Sequence, residues 1–283
     1  MRFLIYLDSH PETEHALAVA ARLAKAAGAA VTLLAVTDDS DNATEAAQKL
    51  LAEARQHWFP AAALKTRAGR AAREILAEAA TGDYGLIVIR SRGRRGWLRA
   101  ALGSLSGRVA RYAPIPVLIV NEAPRAELKH LLACTGGGPP GERVARWGGR
   151  WAGWLGANFT ILHVMSQMAI ATNADEGPLR ETAEEAIAAH TREGEHLRRE
   201  LDLAHQAGAM PEAVHPKIRH GLVVDEVLAE VNSGNYDAVV IGGHQAPSAA
   251  GGFGPLRAFL LEDLADQIIA DVRLPILVIK GQV

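Results

Sequence analysis

The residues best suited to chemistry lie in one stretch, RSRGRRGWLRAALGSLSGRVARYAPIPVLIV, which begins at Arg90. Arg90, Arg92, Arg94, Arg95 and Arg99 place five guanidinium groups within ten residues, with no carboxylate among them. Nine residues separate Gly93 from Gly103, and Ser104 then opens a predicted helix that Pro114 ends. A glycine lets backbone approach a phosphate, a helix N-terminus offers free N–H groups with partial positive charge, and serine adds a hydroxyl. The chemistry this suggests is anion binding. The plainer alternative is a solvated basic loop with an ordinary serine cap.

The elements that must position these residues emerge from an internal repeat. AGAAVTLLAVT (Ala27–Thr37) aligns with LGANFTILHVM (Leu155–Met165) at an offset of 128, and FLIYLDS aligns loosely with HLLACTG. EILAEAATGDYGLIVI matches EVLAEVNSGNYDAVVI at 152, and PVLIV matches PILVI at 159. Matches in constant order with growing offset define two homologous domains, 1–122 and 126–283, joined by the hinge NEAPRAE. The second carries insertions of 24 residues after its second strand and 7 after its fourth. Aliphatic runs at Phe3–Leu7, Val31–Val36, Leu86–Ile89 and Val117–Val120 predict strands covered on both faces. Alanine-rich stretches at His15–Ala27, Ala71–Ala80 and Ser104–Ala113 predict helices between them. The alternation predicts a doubly wound α/β sheet, mainly parallel, in each repeat. Ligands of such sheets sit beyond the carboxyl ends of the strands, at Asp8, Thr37 and the loop after Ile89.

A strand ending in Asp8, GAAVTLLAV at 28–36, the glycine and serine spacing of 93–106 and the closing PVLIV together resemble the universal stress protein family in its tandem form. The resemblance covers nearly all of both repeats except the 24-residue insertion. It implies a five-stranded α/β domain that binds ATP or a related adenine nucleotide, with or without Mg, in stress tolerance and signalling. Carried over by position, Asp8 and Val36 would hold adenine and ribose, while Gly93, Gly103, Ser104, Leu105 and Ser106 would cradle the phosphates. Arg90 departs from the pattern, standing where the motif's first glycine is expected. Its side chain either swings out to clamp a phosphate or plugs the pocket. The last strands, Val117–Val120 and Ile276–Ile279, are wholly aliphatic and would be exposed edges unless paired with each other. The resemblance implies the same pairing between single-domain chains, so a homodimer is also an expectation.

The second repeat reads as degenerate. Thr135 is expected in place of the first-strand aspartate, and Glu262 and Asp263 replace Gly103 and Ser104, where a carboxylate would repel phosphate. Gly251, Gly252 and Gly254 read as a surface excursion. The charged run Glu181–Glu200 reads as the solvated face of an inserted helix, with a partner-docking helix as the alternative. His163 is expected to be a satisfied core histidine and Cys134 a small buried strand residue.

Composition bounds the function. Thirty Lys+Arg against 32 Asp+Glu give a net charge of −2, which disfavours a nucleic-acid or membrane-surface partner. One cysteine, no signal-like leader and no long apolar run fit a reducing cytoplasm and no membrane span. No metal-ligand spacing and no nucleophile elbow occur, so no turnover enzyme is expected, with slow ATP hydrolysis left open. The expectation is therefore a nucleotide-responsive stress regulator with an unidentified protein partner. The rival is an interaction module with both sites dead.

Overall fold

The computed structural model describes residues 1–10, 13–38, 40–91, 104–121, 127–165, 181–243 and 264–280. The chain divides into two compact units, residues 1–126 with 273–283, and residues 127–272. In the first unit, β1 (Arg2–Leu7), α1 (Thr13–Ala27), β2 (Ala30–Thr37), α2 (Asp41–Trp58), β3 (Ala63–Ala68), α3 (Ala71–Ala79), β4 (Leu86–Arg90), α4 (Leu105–Tyr112) and β5 (Val117–Val120) alternate as expected. The strands run parallel in the order β3-β2-β1-β4-β5. Phe3, Leu4, Ile5, Leu33, Leu34 and Ile87 are fully buried, since helices cover both sheet faces. Helix α1 turns Ala16, Leu17, Ala20, Leu23 and Ala24 inward at helical spacing.

The expected pairing of the two last strands is present. Strand β10 (Ile276–Ile279) lies antiparallel to β5, with Ile276 opposite Ile119 and Val278 opposite Val117. The Asn121 side-chain amide donates to the Leu274 carbonyl at 3.2 Å, and Lys280 Nζ donates to the Arg111 carbonyl at 3.0 Å, fixing both ends of the ladder. The edge that β5 would expose is thereby removed.

The second unit holds β6 (His130–Thr135), α5 (Gly138–Leu155), β7 (Asn158–Met165), α6 (Ala183–Ala188), α7 (Arg192–Gln206), β8 (Val214–His220), α8 (Val223–Ser233) and β9 (Ala238–Gly242), with the parallel order β9-β6-β7-β8. Helix α7 lies unusually close to α5. A Cβ on Gly149 would fall 2.5 Å from the Ala204 carbonyl oxygen, and one on Gly153 would fall 2.4 Å from that of Gly208. Only glycine permits that approach.

Edge strands β3 and β8 are largely polar and lack the apolar burial that holds the inner strands. An ion-pair network fastens each. Glu78 of α3 is 2% exposed and accepts from Lys65 and Arg67 of β3 and from the Tyr84 hydroxyl at 2.7 Å. At an offset of 152, Glu230 of α8 accepts from Lys217, Arg219 and the Tyr236 hydroxyl, the last at 2.6 Å. Glu74 and Glu226 complete the two networks on Arg67 and Arg219. Burial alone would raise the Glu78 and Glu230 pKa values, but the donated hydrogen bonds outweigh it and hold both below the usual carboxylate range.

Glu230→Ala is expected to destabilise the second unit by about 2–3 kcal/mol in urea unfolding. That is less than a fully buried pair would cost, because Lys217 and Arg219 reach solvent. Since both folded-state pKa values are depressed, this stabilisation is present above the ordinary glutamate pKa and is lost as pH falls through the lowered value. Acid titration of wild type against Glu230→Ala checks the sign.

Candidate functional site

The strand order reverses between β1 and β4, because β2 and β3 lie on one side of β1 and β4 and β5 on the other. This switch point leaves a crevice at the carboxyl ends of the two strands, the usual ligand position in open α/β sheets. Asp8 leaves β1 there and Arg90 ends β4 there. The parallel β4–α4–β5 crossover brings the N-terminus of α4 to the same end of the sheet.

The two residues meet across the crevice. An Arg90 terminal nitrogen donates to Asp8 Oδ2 at 3.1 Å, with the side chains 3% and 14% exposed, and its other terminal nitrogen donates to the Ser91 carbonyl at 3.1 Å. The second Asp8 oxygen accepts from the Thr13 hydroxyl at 2.7 Å, where α1 begins, and from the His10 backbone N–H at 3.4 Å. Burial pushes the Asp8 pKa up, but the bonds from Thr13 and Arg90 more than compensate and hold it below the ordinary value. Asp8 is therefore an ionised acceptor whose charge is balanced from within the chain.

Ser104 caps α4, its hydroxyl accepting from the Gly107 N–H at 3.0 Å and lying 3.4 Å from the buried Ser106 hydroxyl. The cap leaves the first-turn N–H groups of Leu105 and Ser106 outside the intrahelical ladder. Val36, half-buried, lies near the end of β2 opposite Arg67. Gly93, Gly103 and the arginines at 92, 94, 95 and 99 lie outside the described residues, as do Gly251, Gly252, Gly254, Glu262 and Asp263.

Strand registers correct the reading of the second repeat. Arg2 pairs with Ala30 and His130 with Asn158, so the position of Asp8 is taken by Gly136, and Thr135 stands where Leu7 does. Phe3 pairs with Leu86 and Leu131 with Ala238, which puts Gly242 in the position of Arg90. Both partners of the first unit's ion pair are thus glycine in the second.

The expected solvated face at 181–200 is present for Glu184, Glu185, Arg192, Arg198 and Arg199, which are exposed, and is corrected at Glu200. Glu200 is 1% exposed and accepts from the Thr135 hydroxyl at 2.8 Å. His163 is buried as expected, but its Nδ1 has no hydrogen-bond partner among the described residues. Cys134 keeps some exposure as a residue, yet its thiol is desolvated and pushed up to about 12, so it is unreactive at neutral pH. Among the described residues no group of three His, Cys, Asp or Glu side chains is placed to hold a metal, and no helix is long and apolar enough to cross a membrane.

The Universal stress protein family model matches residues 1–121 and again 127–280. The chain belongs to this family. A universal stress protein of Archaeoglobus fulgidus DSM 4304 shares its fold at a TM-score of 0.70 and 20% identity, over 99% of this chain and 96% of that one. A functionally unknown protein of Pseudomonas aeruginosa PAO1 matches at 0.68 and 18% identity, over 99% and 92%. A shorter universal stress protein of Archaeoglobus fulgidus, in complex with dAMP, matches 54% of this chain and 98% of its own length at 0.35 and 20% identity. No curated protein matches. This tandem universal stress protein keeps the strand-end aspartate in its first unit while an arginine occupies it.

Removing one member of the pair leaves the other charge buried. Asp8→Ala is expected to cost about 3–5 kcal/mol, and the double variant Asp8→Ala with Arg90→Met markedly less. Additive losses in urea unfolding of the single and double variants would contradict a coupled pair.

Proposed function

We propose that the first unit binds ATP or a related adenine nucleotide in the β1/β4 crevice and that the protein acts as a ligand-responsive regulator, not a turnover enzyme. The observation that carries this reading is the position of the Asp8–Arg90 pair at the switch point, at the same end of the sheet as the serine-capped N-terminus of α4. Asp8 supplies an ionised acceptor for a base or ribose donor. The α4 N–H groups favour phosphate oxygens. Between the two roles open to Arg90, the contact with Asp8 supports the plug: the guanidinium is spent on the acceptor that a nucleoside would use. Ligand entry then requires Arg90 to turn away, and the freed guanidinium becomes available to a phosphate.

A second reading has its own support. An aspartate already satisfied by Thr13 and Arg90 needs no ligand, which is what an interaction module with a retired site would show.

Calorimetry with ATP, AMP and adenosine separates the readings. Arg90→Gly is expected to tighten adenosine more than ATP, because Asp8 is released in both cases but only ATP loses the guanidinium that its phosphates would receive, and Gly103→Asp to abolish ATP binding by placing a carboxylate at the helix end. ATP at 100 times its dissociation constant should add about 2.7 kcal/mol to stability. Weaker ATP binding by Arg90→Gly would overturn the plug in favour of a clamp. No heat from any ligand with wild type or Arg90→Gly would overturn nucleotide binding and leave the interaction module.

A further inference from the structure

Helix α7 carries a carboxyl group into a place where none of the described residues brings a cation to meet it. Glu200 is 1% exposed; its Oε2 lies 2.8 Å from the Thr135 hydroxyl at the end of β6, and its Oε1 has no hydrogen-bond partner among the described residues. Oε1 sits against the first turn of α5, only 2.1 Å from where a Cβ on Gly141 would stand. Thr135 has a second neighbour, the Leu162 carbonyl oxygen, at 3.5 Å.

We propose that the Glu200–Thr135 contact is a protonation-dependent latch: Glu200 is a neutral carboxylic acid in the folded unit, and its ionisation releases α7 from the carboxyl ends of β6 and β7.

Proton counting supports the neutral state. A hydroxyl carries one proton, and Thr135 faces two acceptors, the Leu162 carbonyl and Glu200 Oε2. With Glu200 ionised, the single Thr135 proton goes to Oε2 at 2.8 Å, and Oε1 keeps its share of the negative charge with no donor among the described residues. With Glu200 protonated on Oε2, the acid donates to Thr135 and Thr135 donates to Leu162, so every proton is used. A neutral acid also removes the cost of a buried charge, which no cation among the described residues offsets.

Among the described residues the groups facing Glu200 do not supply one, and the neighbouring Arg199 of α7 lies 3.7 Å from the Glu142 carboxylate instead. From α5 comes Glu142, of the same sign. On β7, burial holds His163 toward its neutral form. His196, on α7 itself, accepts the Gly138 N–H at Nδ1, and Glu193 of α7 is acidic. The β8 cations Lys217 and Arg219 are engaged by Glu230 and Glu226, and His220 Nε2 lies 3.1 Å from the Glu181 carbonyl. Of the α6 carboxylates, Glu185 is spent on the Thr182 N–H. Burial accordingly pushes Glu200 up to about 7, the Thr135 contact opposing it only in part.

The sign follows from linkage. A folded-state pKa raised above the unfolded value gives stability that is full below the unfolded pKa and is lost as pH rises through the folded one. The test is hydrogen exchange of the α7 amides, 192–206, in the full chain, corrected for intrinsic rates, at about pH 5.5 and 8.5. Wild type should lose about 30-fold in α7 protection between these values, levelling off above, and Glu200→Gln should lose no more than about 3-fold. Equal losses in the two proteins would overturn the latch. If Glu200→Gln does not fold, the wild-type side-chain carboxyl ¹³C shift decides: a midpoint near 7 supports the latch, and one in the ordinary glutamate range, about 4.3, overturns it.

Discussion

A buried carboxylate under each edge strand is the interaction on which the rest of the architecture rests. The inner strands are apolar on both faces and are held by burial, but β3 and β8 have little apolar surface to bury, and β8 even contains Pro216. Without Glu78 and Glu230 these strands would be only weakly held at the sheet margin. Each glutamate collects two cations from its strand and a tyrosine hydroxyl from the loop ahead of the next strand. One group thereby ties together edge strand, helix and the return into the sheet centre. The same five residues, counting Glu74 and Glu226, recur at one offset in both units, although the neighbouring apolar positions have drifted.

With the frame fixed, the switch-point crevice is free to vary, and the two units have used it differently. In the first, Asp8 and Arg90 close it with a charge pair. In the second, Gly136 and Gly242 stand in the same registers. Losing the aspartate alone would strand a buried guanidinium and losing the arginine alone would free an acceptor, so the two positions are energetically coupled. Their joint absence from the second unit is consistent with that coupling.

Much of the frame was legible in the sequence. The aliphatic runs became β1, β2, β4 and β5 with shifts of a residue or two, and PVLIV and PILVI became the paired strands β5 and β10. Strands β3 and β8 were invisible to hydrophobic patterning because ALKTRA and VHPKIRH are polar; their signal lies in the cations at 65, 67, 217 and 219. The candidate site was legible as a list of positions, not as a set of partners. Nothing in the spacing says that Arg90 turns back 82 residues to Asp8. The loose alignment of FLIYLDS with HLLACTG also slipped by one residue, which made Thr135, and not Gly136, look like the lost aspartate. Glu200 was missed because charge density along a helix resembles a solvated face, and only the close approach of α7 to α5 turns one glutamate inward.

An internal partner changes what an aspartate in a crevice means for affinity. If the competent state, with Arg90 turned away, is a small fraction of the population, the apparent dissociation constant is the intrinsic one divided by that fraction. Opening also exposes a carboxylate and a guanidinium that are now balanced, and a ligand must offset that cost before any net binding appears. A nucleotide can do so from both ends, since its nucleoside donors replace the guanidinium on Asp8 while its phosphates receive it. Adenosine can do only the first. On the proposed nucleotide reading the pair would therefore act as a filter that favours a ligand carrying both a hydrogen-bond donor and an anion, without any residue added to the site.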